Sequence, residues 1–479
     1  MKTNTRYTIA SAKAVELFHK AAHNIPAYKD FLSRESIVPQ KIKTFKDFKN
    51  VPPVDKDNYL RQYPLKDLCW NGELFTNQII SVSSGSSGEP FFWPRGAEHH
   101  AEGAEIHEQI FTKILDIHQK STLVVICFSM GTWIAGSFTL FSAMKIAEKN
   151  SNDLMVITPG IDKKDAIRAI SKLAHNFDQI IIAGYPPFVR DIVLEGQEHI
   201  QWTDHVIKFL FAGESFSEDW RSHMAELVGA TNIQKFSVNI YGTADAAIIG
   251  HETPLSVNIR QAVASDLQTS RQVFGTDIQP TLVNFYPQKR FIEEVNEELV
   301  FTTNSGIPLI RYNIHDKGKV FTDFEELATE LGPRLNEISP RHIQDWSDLP
   351  YVTINGRKDF TATIYAVNIY PENIKAGLLD NTIARQTTGK FSMITKTTPQ
   401  QDQYLEVVVE LAPNSTPNES TSVLIKRAVT DRLVELNAEY RKLRTAIGNK
   451  ADLHIILKPY GDSDFFSGTV KHSWLKRGE

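Results

Sequence analysis

The sequence of 479 residues contains little cysteine, no excess of positive charge and no long hydrophobic run. Two cysteines, Cys69 and Cys127, are too few for a disulfide framework or a cysteine-rich zinc site, which favours a reducing compartment. The 52 basic residues are outnumbered by 57 acidic ones, so no net positive field attracts nucleic acid or an anionic membrane. The most apolar stretches, such as residues 123–128, are far shorter than the roughly 20 residues of a membrane span.

The N-terminal residues are polar and lack the apolar segment of a signal peptide. Together these absences predict a soluble, cytoplasmic protein that has neither nucleic acid nor a membrane as a partner. The rest of the composition is ordinary for a globular protein, with 41% hydrophobic and 23% charged residues. The length corresponds to about three structural units of roughly 150 residues each.

Short apolar runs alternate with helical patterns from residue 123 onward. The runs lie at residues 123–128, 154–158, 179–183, 206–211 and 236–240. Near-continuous apolar strands separated by helices predict a buried, largely parallel sheet. Residues 281–320 instead contain strands that follow one another closely, which predicts a distorted antiparallel region. Nearer the N-terminus, residues 11–33 have apolar positions at helical spacing, and residues 97–118 are also predicted to be helical.

The pattern changes near Asn355, Gly356 and Arg357. The remaining chain alternates as strand, helix, strand, strand, helix and strand, with the second helix predicted over residues 422–443. This order is typical of a compact split α+β unit. We therefore predict an α/β fold in two domains. A large N-terminal domain, 1–355, has parallel sheets flanked by helices plus the antiparallel region, and a small α+β domain spans 356–479.

A serine- and glycine-rich segment directly after a predicted strand is the strongest local signal. It consists of Ser83, Ser84, Gly85, Ser86, Ser87 and Gly88. Glycine lets the backbone turn its amides inward, and successive N–H groups with hydroxyls form a nest for phosphate oxygens. No Gly-Lys-Ser/Thr follows, so the segment is not a Walker P-loop. The alternative is a flexible Ser/Gly linker.

A second candidate segment, residues 239–245, ends an apolar run and opens into a turn. The carboxyl end of a strand is where ligands bind in open α/β sheets. Tyr241 could stack on a flat ring, and Asp245 could hold a magnesium ion. The alternative is a turn that carries a surface acid.

Three further segments carry charged residues whose alternative is simple solvation. They contain Arg311 and Asp316, Lys358 and Asp359, and Lys471 near the C-terminus. A separate group, His99, His100 and His107, lies among acidic residues of the predicted helix. The spacing of these histidines favours a solvated polar face over a metal site.

Taken together and in this order, the segments resemble the adenylate-forming superfamily, most closely its phenylacetate–CoA ligase-like branch. The matching motifs are the Ser/Gly loop at 83–90, the Tyr-Gly turn at 241–245, the Glu-Leu-Val-Phe-Thr-Thr strand at 298–303, the Arg-Tyr…Asp element at 311–316, the Gly-Arg hinge at 356–359, the Asn-Ile-Tyr-Pro stretch at 368–371, and Lys471. Residues 211–214 also resemble a Gly-Ala-Glu stretch of that branch. The resemblance extends over nearly the whole chain from about residue 15, and the ordered set carries it.

The resemblance implies a ligase of the AMP-forming, acyl-CoA synthetase type that uses ATP and Mg²⁺. A carboxylic acid, aromatic or similar, would attack the α-phosphate of ATP, and the acyl-adenylate would pass to a thiol, usually that of coenzyme A. Because two anions must meet, backbone donors and Mg²⁺ would offset their repulsion. The small domain would be mobile and turn about Lys358 and Asp359 between the two steps. Relatives of this branch are often homodimers.

The resemblance also assigns roles to single residues. The Ser/Gly segment would hold the β- and γ-phosphates, Tyr241 would lie on adenine, and Asp316 would bind both ribose hydroxyls. Asp245 would bind Mg²⁺, and Lys471 would be the catalytic residue that bridges the carboxylate and the α-phosphate. Further ATP or AMP contacts are assigned to Gly213, Glu214, Gly242, Thr243 and Arg311. The positions that match the substrate pocket of the relatives are Phe128, Trp133, Tyr185, Gly213 and Gly242, although buried aromatic residues are more often plain core.

Some positions depart from the pattern of that branch. Glu89 stands where relatives carry lysine, Asp245 replaces a glutamate, and Ala366 stands near a usual glycine. The spacing around Lys471 is looser than usual, with Lys476 as the alternative lysine. Two alternatives therefore stay open: an adenylating enzyme that passes its acyl group to a carrier protein or an amine, and a non-catalytic relative that binds a nucleotide or a partner protein.

Overall fold

The structure, a computed structural model, describes residues 5–76, 79–82, 91–132, 134–149, 153–213, 215–264, 266–275, 280–357, 362–364, 367–397 and 403–466. The helices of these residues are α1 Thr5–Asn24, α2 Pro26–Arg34, α3 Phe45–Phe48, α4 Ala97–Gln109, α5 Ile134–Ala147, α6 Lys163–Leu173, α7 Pro186–Gly196, α8 Glu218–Val228, α9 Ile233–Phe236, α10 Pro254–Val263, α11 Leu267–Phe274, α12 Phe324–Leu331, α13 Pro340–Trp346, α14 Pro371–Leu378, α15 Glu419–Leu436, α16 Ala438–Ile447 and α17 Ser463–Phe466. The strands are β1 Ile79–Val82, β2 Phe92–Arg95, β3 Thr122–Cys127, β4 Leu154–Ile157, β5 Gln179–Gly184, β6 Ile207–Ala212, β7 Ser237–Thr243, β8 Ala247–His251, β9 Thr281–Phe285, β10 Phe291–Val295, β11 Glu298–Thr303, β12 Leu309–Lys317, β13 Val320–Phe321, β14 Tyr351–Ile354, β15 Gly356–Arg357, β16 Ala362–Ile364, β17 Val367–Ile369, β18 Thr387–Thr397, β19 Gln403–Leu411 and β20 His454–Lys458.

The largest sheet has nine strands in the order β13-β14-β9-β8-β7-β6-β5-β3-β4. Strands from β4 to β7 pair in parallel, and those from β7 to β13 pair antiparallel. Alternate residues of β3 enter two different cores, with Val124 and Ile126 on one face and Val125 and Cys127 on the other. A strand buried on both faces is apolar throughout. The α/β prediction is therefore confirmed, and the antiparallel half of this sheet is the part that the sequence pattern did not predict.

A second sheet, β10-β11-β12-β15, is antiparallel and irregular. Its register shifts twice between β11 and β12. Within β12, Arg311 and His315 have left-handed backbone, with φ angles of 48° and 63°. Such irregularities re-aim side chains and store strain. The predicted distortion is therefore present, but the strand Thr281–Phe285, which was predicted to belong to this region, lies in the nine-stranded sheet between β8 and β14.

The N-terminal region forms two helices where periodicity predicted one over residues 11–33. Helix α1 ends at Asn24 and α2 begins at Pro26, because proline has no backbone N–H for a continuous helix but suits a first turn. The ring of Phe18 on α1 packs edge-on against Tyr28 on α2. Both helices share one hydrophobic core with the second sheet.

Helix α4 is shorter than predicted and continues as one π-helical turn, Ile110–Ile114. Its histidines are not solvated, which corrects the prediction of a polar face. His99, His100 and His107 are at most 4% exposed, and all three pack around the ring of Phe138 on α5. Burial lowers the pKa of each imidazole, to about 4 for His107. The prediction failed because a neutral imidazole can be packed as an aromatic ring although it counts as polar in a periodicity.

The residues from 362 onward have a hydrophobic core of their own, whose buried members lie between Ala362 and Leu453. Strands β16 and β17 form a hairpin, and β18, β19 and β20 form a sheet that packs against α14 and α15. The helix predicted over 422–443 is two helices. Asn437 ends α15, and its side chain accepts the Tyr440 N–H at 2.9 Å to begin α16. The domain boundary at 355 and 356 remains a prediction.

Charged groups hold this C-terminal part against α7. Lys390 Nζ on β18 lies 2.6 Å from Asp191 Oδ2 on α7 and 3.3 Å from Glu410 Oε2 on β19. Arg190, also on α7, donates a 2.8 Å hydrogen bond to the carbonyl oxygen of Thr387. The contact is therefore ionic and directional, and Arg190, Asp191 and Glu410 are at most 3% exposed.

No helix among the described residues is long and apolar enough to cross a membrane. Within the same residues, no three His, Cys, Asp or Glu side chains are grouped as metal ligands would be. Cys69 and Cys127 are free and buried, and burial of Cys127 is what its position in the apolar run 123–128 predicts. Burial raises the pKa of Cys69 to about 11 and also raises that of Cys127.

Candidate active site

The carboxyl ends of the parallel strands bring several predicted site residues to one edge of the nine-stranded sheet. Phe128, Tyr185 and Gly213 directly follow the neighbouring strands β3, β5 and β6. Tyr241 and Gly242 lie near the end of β7, the next strand in the sheet. This edge is where open α/β sheets bind ligands. The topology therefore gathers residues that are more than 100 positions apart in sequence.

The predicted pocket residues are closely packed. Gly213 has a φ of 91°, and a Cβ there would lie 3.5 Å from the Tyr185 ring, so the backbone rather than space favours glycine. A Cβ at Gly242 would lie 3.0 Å from the carbonyl oxygen of Ala247. Phe128 and Tyr185 are each 4% exposed and belong to cores on opposite faces of the sheet. Such burial also suits plain packing, so their role in a substrate pocket stays a prediction.

A short hydrogen bond joins two of the predicted nucleotide contacts. The Tyr241 hydroxyl donates to Asp316 Oδ2 at 2.5 Å, across 75 residues of sequence and between the two sheets. Asp316 is 3% exposed and directly follows His315, whose left-handed backbone bends β12 at this point. The distortion of β12 thus brings together the residues that were assigned to adenine and to ribose.

Asp245, the predicted magnesium ligand, is a buried carboxylate with two polar partners. Its Oδ2 accepts a 2.6 Å hydrogen bond from the Tyr312 hydroxyl and lies 3.3 Å from Lys56 Nζ. The turn that carries it is stabilised by Thr243, whose Oγ1 accepts the Ala246 N–H at 3.0 Å. Thr243 therefore shapes the turn, and its contact with a nucleotide stays a prediction.

The surroundings of Asp245 fit a divalent cation that a nucleotide helps to bind. Mg²⁺ is usually held by one or two carboxylates together with waters and substrate phosphates. Asp245 supplies one such carboxylate, and the ammonium group of Lys56 beside it demonstrates that the position stabilises positive charge. Asp245 is the residue of this site that would hold the ion, and the ion would supply charge neutralisation for the phosphates.

Lys56 lies beside the predicted magnesium ligand, and no sequence motif singles it out. The segment 41–60 is polar and contains Pro52 and Pro53, which is typical of a connection, and a lysine between two aspartates gives no pattern. In the structure, the backbone N–H of Val54 donates to Arg311 O at 3.0 Å, and Val54 O accepts the Asn313 N–H at 2.8 Å. This pairing adds the segment to β12 and brings Lys56 to the predicted magnesium ligand. The position of Lys56 beside Asp245 is therefore visible only in the tertiary structure.

Arg311, predicted to contact ATP, has its guanidinium in the N-terminal core. Its Nη1 donates to the carbonyl oxygens of Lys49, at 2.6 Å, and Val51. Its Nε lies 3.2 Å from Glu293 Oε2, and the group stacks over Phe48 at 5.8 Å. These contacts make Arg311 a support for the second sheet, and its contact with the nucleotide stays a prediction.

A buried network of charged side chains contacts the backbone of β7. Glu252 Oε1 lies 2.7 Å from Arg221 Nη2 and 2.6 Å from Arg260 Nη1, and Glu218 completes the network. Burial alone would raise the pKa of Glu252, but the two guanidinium groups hold it below its usual range. The other oxygen of Glu252 accepts the backbone N–H of Asn239 at 2.8 Å. Because Asn239 precedes Tyr241 by two residues, the network fixes the strand that carries the site.

The remaining predicted residues lie outside the described residues. They are Ser83, Ser84, Gly85, Ser86, Ser87, Gly88, Glu89, Trp133, Glu214, Lys358, Asp359, Ala366, Lys471 and Lys476. The strands on either side of the Ser/Gly segment are described. β1 and β2 pair antiparallel, with Val82 opposite Phe92, so described residues before and after this segment are adjacent.

Comparisons with known proteins give structural matches only. No protein-family model matches the sequence, and no curated protein does. The chain is similar to the crystal structure of 2-hydroxyisobutyryl-CoA ligase in the postadenylation state with R3-HIB-AMP, with a TM-score of 0.69, 15% identity, and coverage of 99% of this chain and 91% of that chain. For the same ligase with 2-HIB-AMP and CoA in the thioesterification state, the TM-score is 0.55 at 14% identity, with the same coverage. An acyl acid amido synthetase in complex with 2,4-DB gives 0.63 at 14% identity, with coverage of 100% and 93%.

These identities are low, so the similarity concerns the fold. It extends over nearly the whole of each chain, including the C-terminal part. The TM-score is higher for the postadenylation state of that ligase than for its thioesterification state. The chain has the fold of the adenylate-forming enzymes, which confirms the fold that the sequence resemblance implied.

Proposed function

We propose that this protein is an adenylate-forming ligase that activates a carboxylic acid with ATP. The observation that carries the proposal is the bond between the Tyr241 hydroxyl and the Asp316 carboxylate at the ligand-binding edge of the sheet. An aromatic ring beside a buried carboxylate suits a nucleoside, because the ring can stack on the base and the carboxylate can accept hydrogen bonds from ribose hydroxyls. Asp245, in the same turn as Tyr241, adds a carboxylate for the metal that accompanies the phosphates.

In the proposed reaction, the oxygen of a carboxylate attacks the α-phosphorus of ATP and pyrophosphate leaves. The Ser/Gly segment binds the β- and γ-phosphates through backbone N–H groups and hydroxyls. Lys471 lies between the carboxylate and the α-phosphate, where its ammonium group offsets the repulsion of two anions. Asp316 exchanges its bond with Tyr241 for bonds with the ribose, so the tyrosine ring becomes free to lie on adenine.

The acceptor of the acyl group is proposed to be the thiol of coenzyme A. Support comes from the similar ligase, whose structure contains 2-HIB-AMP and CoA. The acid is proposed to be aromatic, as the sequence resemblance implies. The 356–479 domain is proposed to turn about Lys358 and Asp359 between the two steps.

An amine is the second candidate acceptor. The similarity to an acyl acid amido synthetase, over the whole of this chain, favours it specifically. A carrier-protein thiol and a homodimeric assembly remain further proposals that rest on the sequence resemblance.

Pyrophosphate exchange into ATP, measured with a panel of carboxylic acids, tests the activation step. We expect exchange with at least one acid. Asp316→Asn should raise the KM for ATP about 10- to 100-fold, because a charged hydrogen-bond acceptor is lost. Asp348→Asn is the matched control, since Asp348 is an exposed carboxylate paired with Arg6, and it should leave the KM unchanged. Absence of exchange with every acid would reject the enzymatic proposal and favour a nucleotide-binding relative.

The acceptor is tested on the acid that supports exchange. Mass spectrometry of the products formed with coenzyme A, or with a mixture of amino acids, distinguishes a thioester from an amide. We expect the thioester. Lys471→Ala should abolish exchange, whereas Lys476→Ala should retain it.

A further inference from the structure

Arg95 is a fully buried arginine at the end of β2, 0% exposed. Strand β2 pairs with β1, so Arg95 lies opposite Ile79 in the hairpin that flanks the predicted phosphate segment. A buried guanidinium has five N–H donors and is costly unless acceptors face it. The contacts of Arg95 therefore define what it does.

Three acceptors from three different elements face the Arg95 guanidinium. Its Nε donates to Ser81 Oγ on β1 at 3.3 Å, and its Nη1 donates to His99 Nε2 on α4 at 3.0 Å. Its Nη2 donates to the carbonyl oxygen of Ala244. Ala244 immediately precedes Asp245. Arg95 thus connects the hairpin directly to the turn that carries the predicted adenine and magnesium contacts.

The second acceptor, His99, extends this connection and is neutral. A guanidinium has no acceptor, so His99 Nε2 must be unprotonated, and Nδ1–H then donates to Asn304 O at 3.3 Å. Burial, together with Arg290 and Arg95, keeps the pKa of His99 well below its usual value. The chain of contacts therefore continues to Asn304, directly after β11.

The charge of Arg95 faces uncharged acceptors in all three of these bonds. Burial and the neighbouring Arg290 lower its pKa to about 9, while the carboxylate of Asp245 acts in the opposite direction. Arg95 remains protonated at neutral pH. A buried cation without a bonded carboxylate among these contacts leaves positive potential near Asp245, where the phosphates of a nucleotide would lie.

We propose that Arg95 is a positioning residue of the nucleotide site. It holds the strands β1 and β2 against the turn that follows Tyr241 and carries Asp245. Its charge adds to the attraction of this turn for a polyphosphate. The inference rests on the proposed function, because it assumes that this turn binds ATP. Lysine cannot replace Arg95, since one ammonium group does not span three separate acceptors.

The test compares Arg95→Lys with Arg290→Lys in the full-length protein. Arg290 is also fully buried, but it donates to Ile248 O at 3.2 Å and to Glu102 at 2.8 Å instead of to the turn. We expect Arg95→Lys to weaken binding of a fluorescent ATP analogue about tenfold or more, measured without any acid. In pyrophosphate exchange it should raise the KM for ATP by a similar factor and leave the KM for the acid within about twofold. Arg290→Lys should leave the affinity for the ATP analogue and the KM for ATP near the wild-type values, although this variant should be less stable to heat than the wild type.

Three results would overturn the inference. One is an unchanged affinity for the ATP analogue in Arg95→Lys. Another is an equal rise in both KM values, as a general loss of structure would produce. The third is wild-type protein that does not bind the analogue, which overturns the proposed function as well. Wild-type protein that binds the analogue but exchanges no pyrophosphate overturns only the proposed function, and the binding comparison then decides the role of Arg95.

Discussion

Folding keeps His107 as a neutral base in the interior. The ring is 2% exposed, and its Nδ1 bonds to the carbonyl oxygen of Gly103 at 2.9 Å. Burial lowers the pKa of His107 to about 4, whereas an unfolded histidine has a pKa of about 6.5. The unfolded chain therefore binds the extra proton first as pH falls. The contribution of neutral His107 to the free energy of unfolding is fully present above pH ~6.5. This contribution is lost progressively as the pH falls to ~4.

Replacing His107 by leucine should reduce the acid sensitivity of the fold. Between pH 7 and pH 5, the wild-type protein should lose about 1–2 kcal/mol more unfolding free energy than His107→Leu, because the variant has no proton to bind there. Urea unfolding at the two pH values measures this difference. His175→Leu, at an exposed position, is the control and should behave as wild type. Equal pH dependence in all three proteins would contradict the assignment.

At the residue scale, the prediction of site residues depended on the order of the motifs along the chain. Tyr241, Asp245 and Asp316 were singled out, and the structure brings Tyr241 and Asp316 into contact. Lys56 and Arg95 were not singled out. Their partners are 189 and 149 residues away and are reached through an isolated backbone pairing and a hairpin, which no local pattern encodes.

At the scale of elements, Asn437 separates two helices that periodicity merged. Its Oδ1 accepts the Tyr440 N–H at 2.9 Å, and its Nδ2 donates to Asn373 Oδ1 on α14 at 3.3 Å. Asn437→Ala should therefore lower stability by about 1–2 kcal/mol, because it removes a helix cap and a buried bond. A thermal melt of the full chain measures the loss. Asn449→Ala, at an exposed position, should leave the melting temperature unchanged, and an equal effect of both variants would contradict the capping role.

The success of element prediction depended on how each strand is buried. Strands β3 and β5 are covered on both faces, so their apolar runs were recognisable without knowing any neighbour. Strand β9 is equally buried, but its partners β8 and β14 are antiparallel, and it was assigned to the wrong sheet. The neighbours of a strand are determined by tertiary packing. A run of apolar residues indicates that a strand is buried but not which strands pair with it.

At the scale of the whole molecule, the contact between α7 and the C-terminal part depends on Lys390. Asp191 and Glu410, which Lys390 joins, are each 1% exposed. Burial lowers the pKa of Lys390, but these two carboxylates outweigh it and raise the pKa. Lys390→Met would leave the buried carboxylates of Asp191 and Glu410 close together, with only Lys163, 3.8 Å from Asp191, as a nearby cation in these ion pairs. We expect this arrangement of the two parts to be destabilised by about 3–5 kcal/mol.

Energy transfer between two dyes measures that change. Cysteines introduced at the exposed positions Met155 and Val423 accept the dyes, since the two native thiols are buried. Lys390→Met should broaden the distance distribution. Lys396→Met is the control, because Lys396 lies on the same strand but pairs with Glu406 of the neighbouring strand β19. An unchanged distance distribution in Lys390→Met would contradict the role of Lys390 in holding the C-terminal part against α7.

The sequence predicts two domains, but it does not predict which residues join the C-terminal part to α7. Their α/β and α+β patterns are local, whereas the contact uses charged side chains that resemble any solvated surface charge in a sequence. Lys390 and Asp191 lie 199 residues apart. Their burial depends on the orientation of one part against the other, and the sequence pattern does not fix that orientation.

The two buried thiols can also report transient local opening of the protein. Iodoacetamide reacts with a thiolate, which requires both access and loss of a proton, and burial denies both to Cys69 and Cys127. Alkylation of these thiols can then proceed only after transient local opening. The alkylation rate of each thiol therefore measures how readily the core around it opens. Cys69 belongs to the core beneath the N-terminal helices and Cys127 to one face of the nine-stranded sheet. The order in which the two are alkylated would reveal which core loosens first.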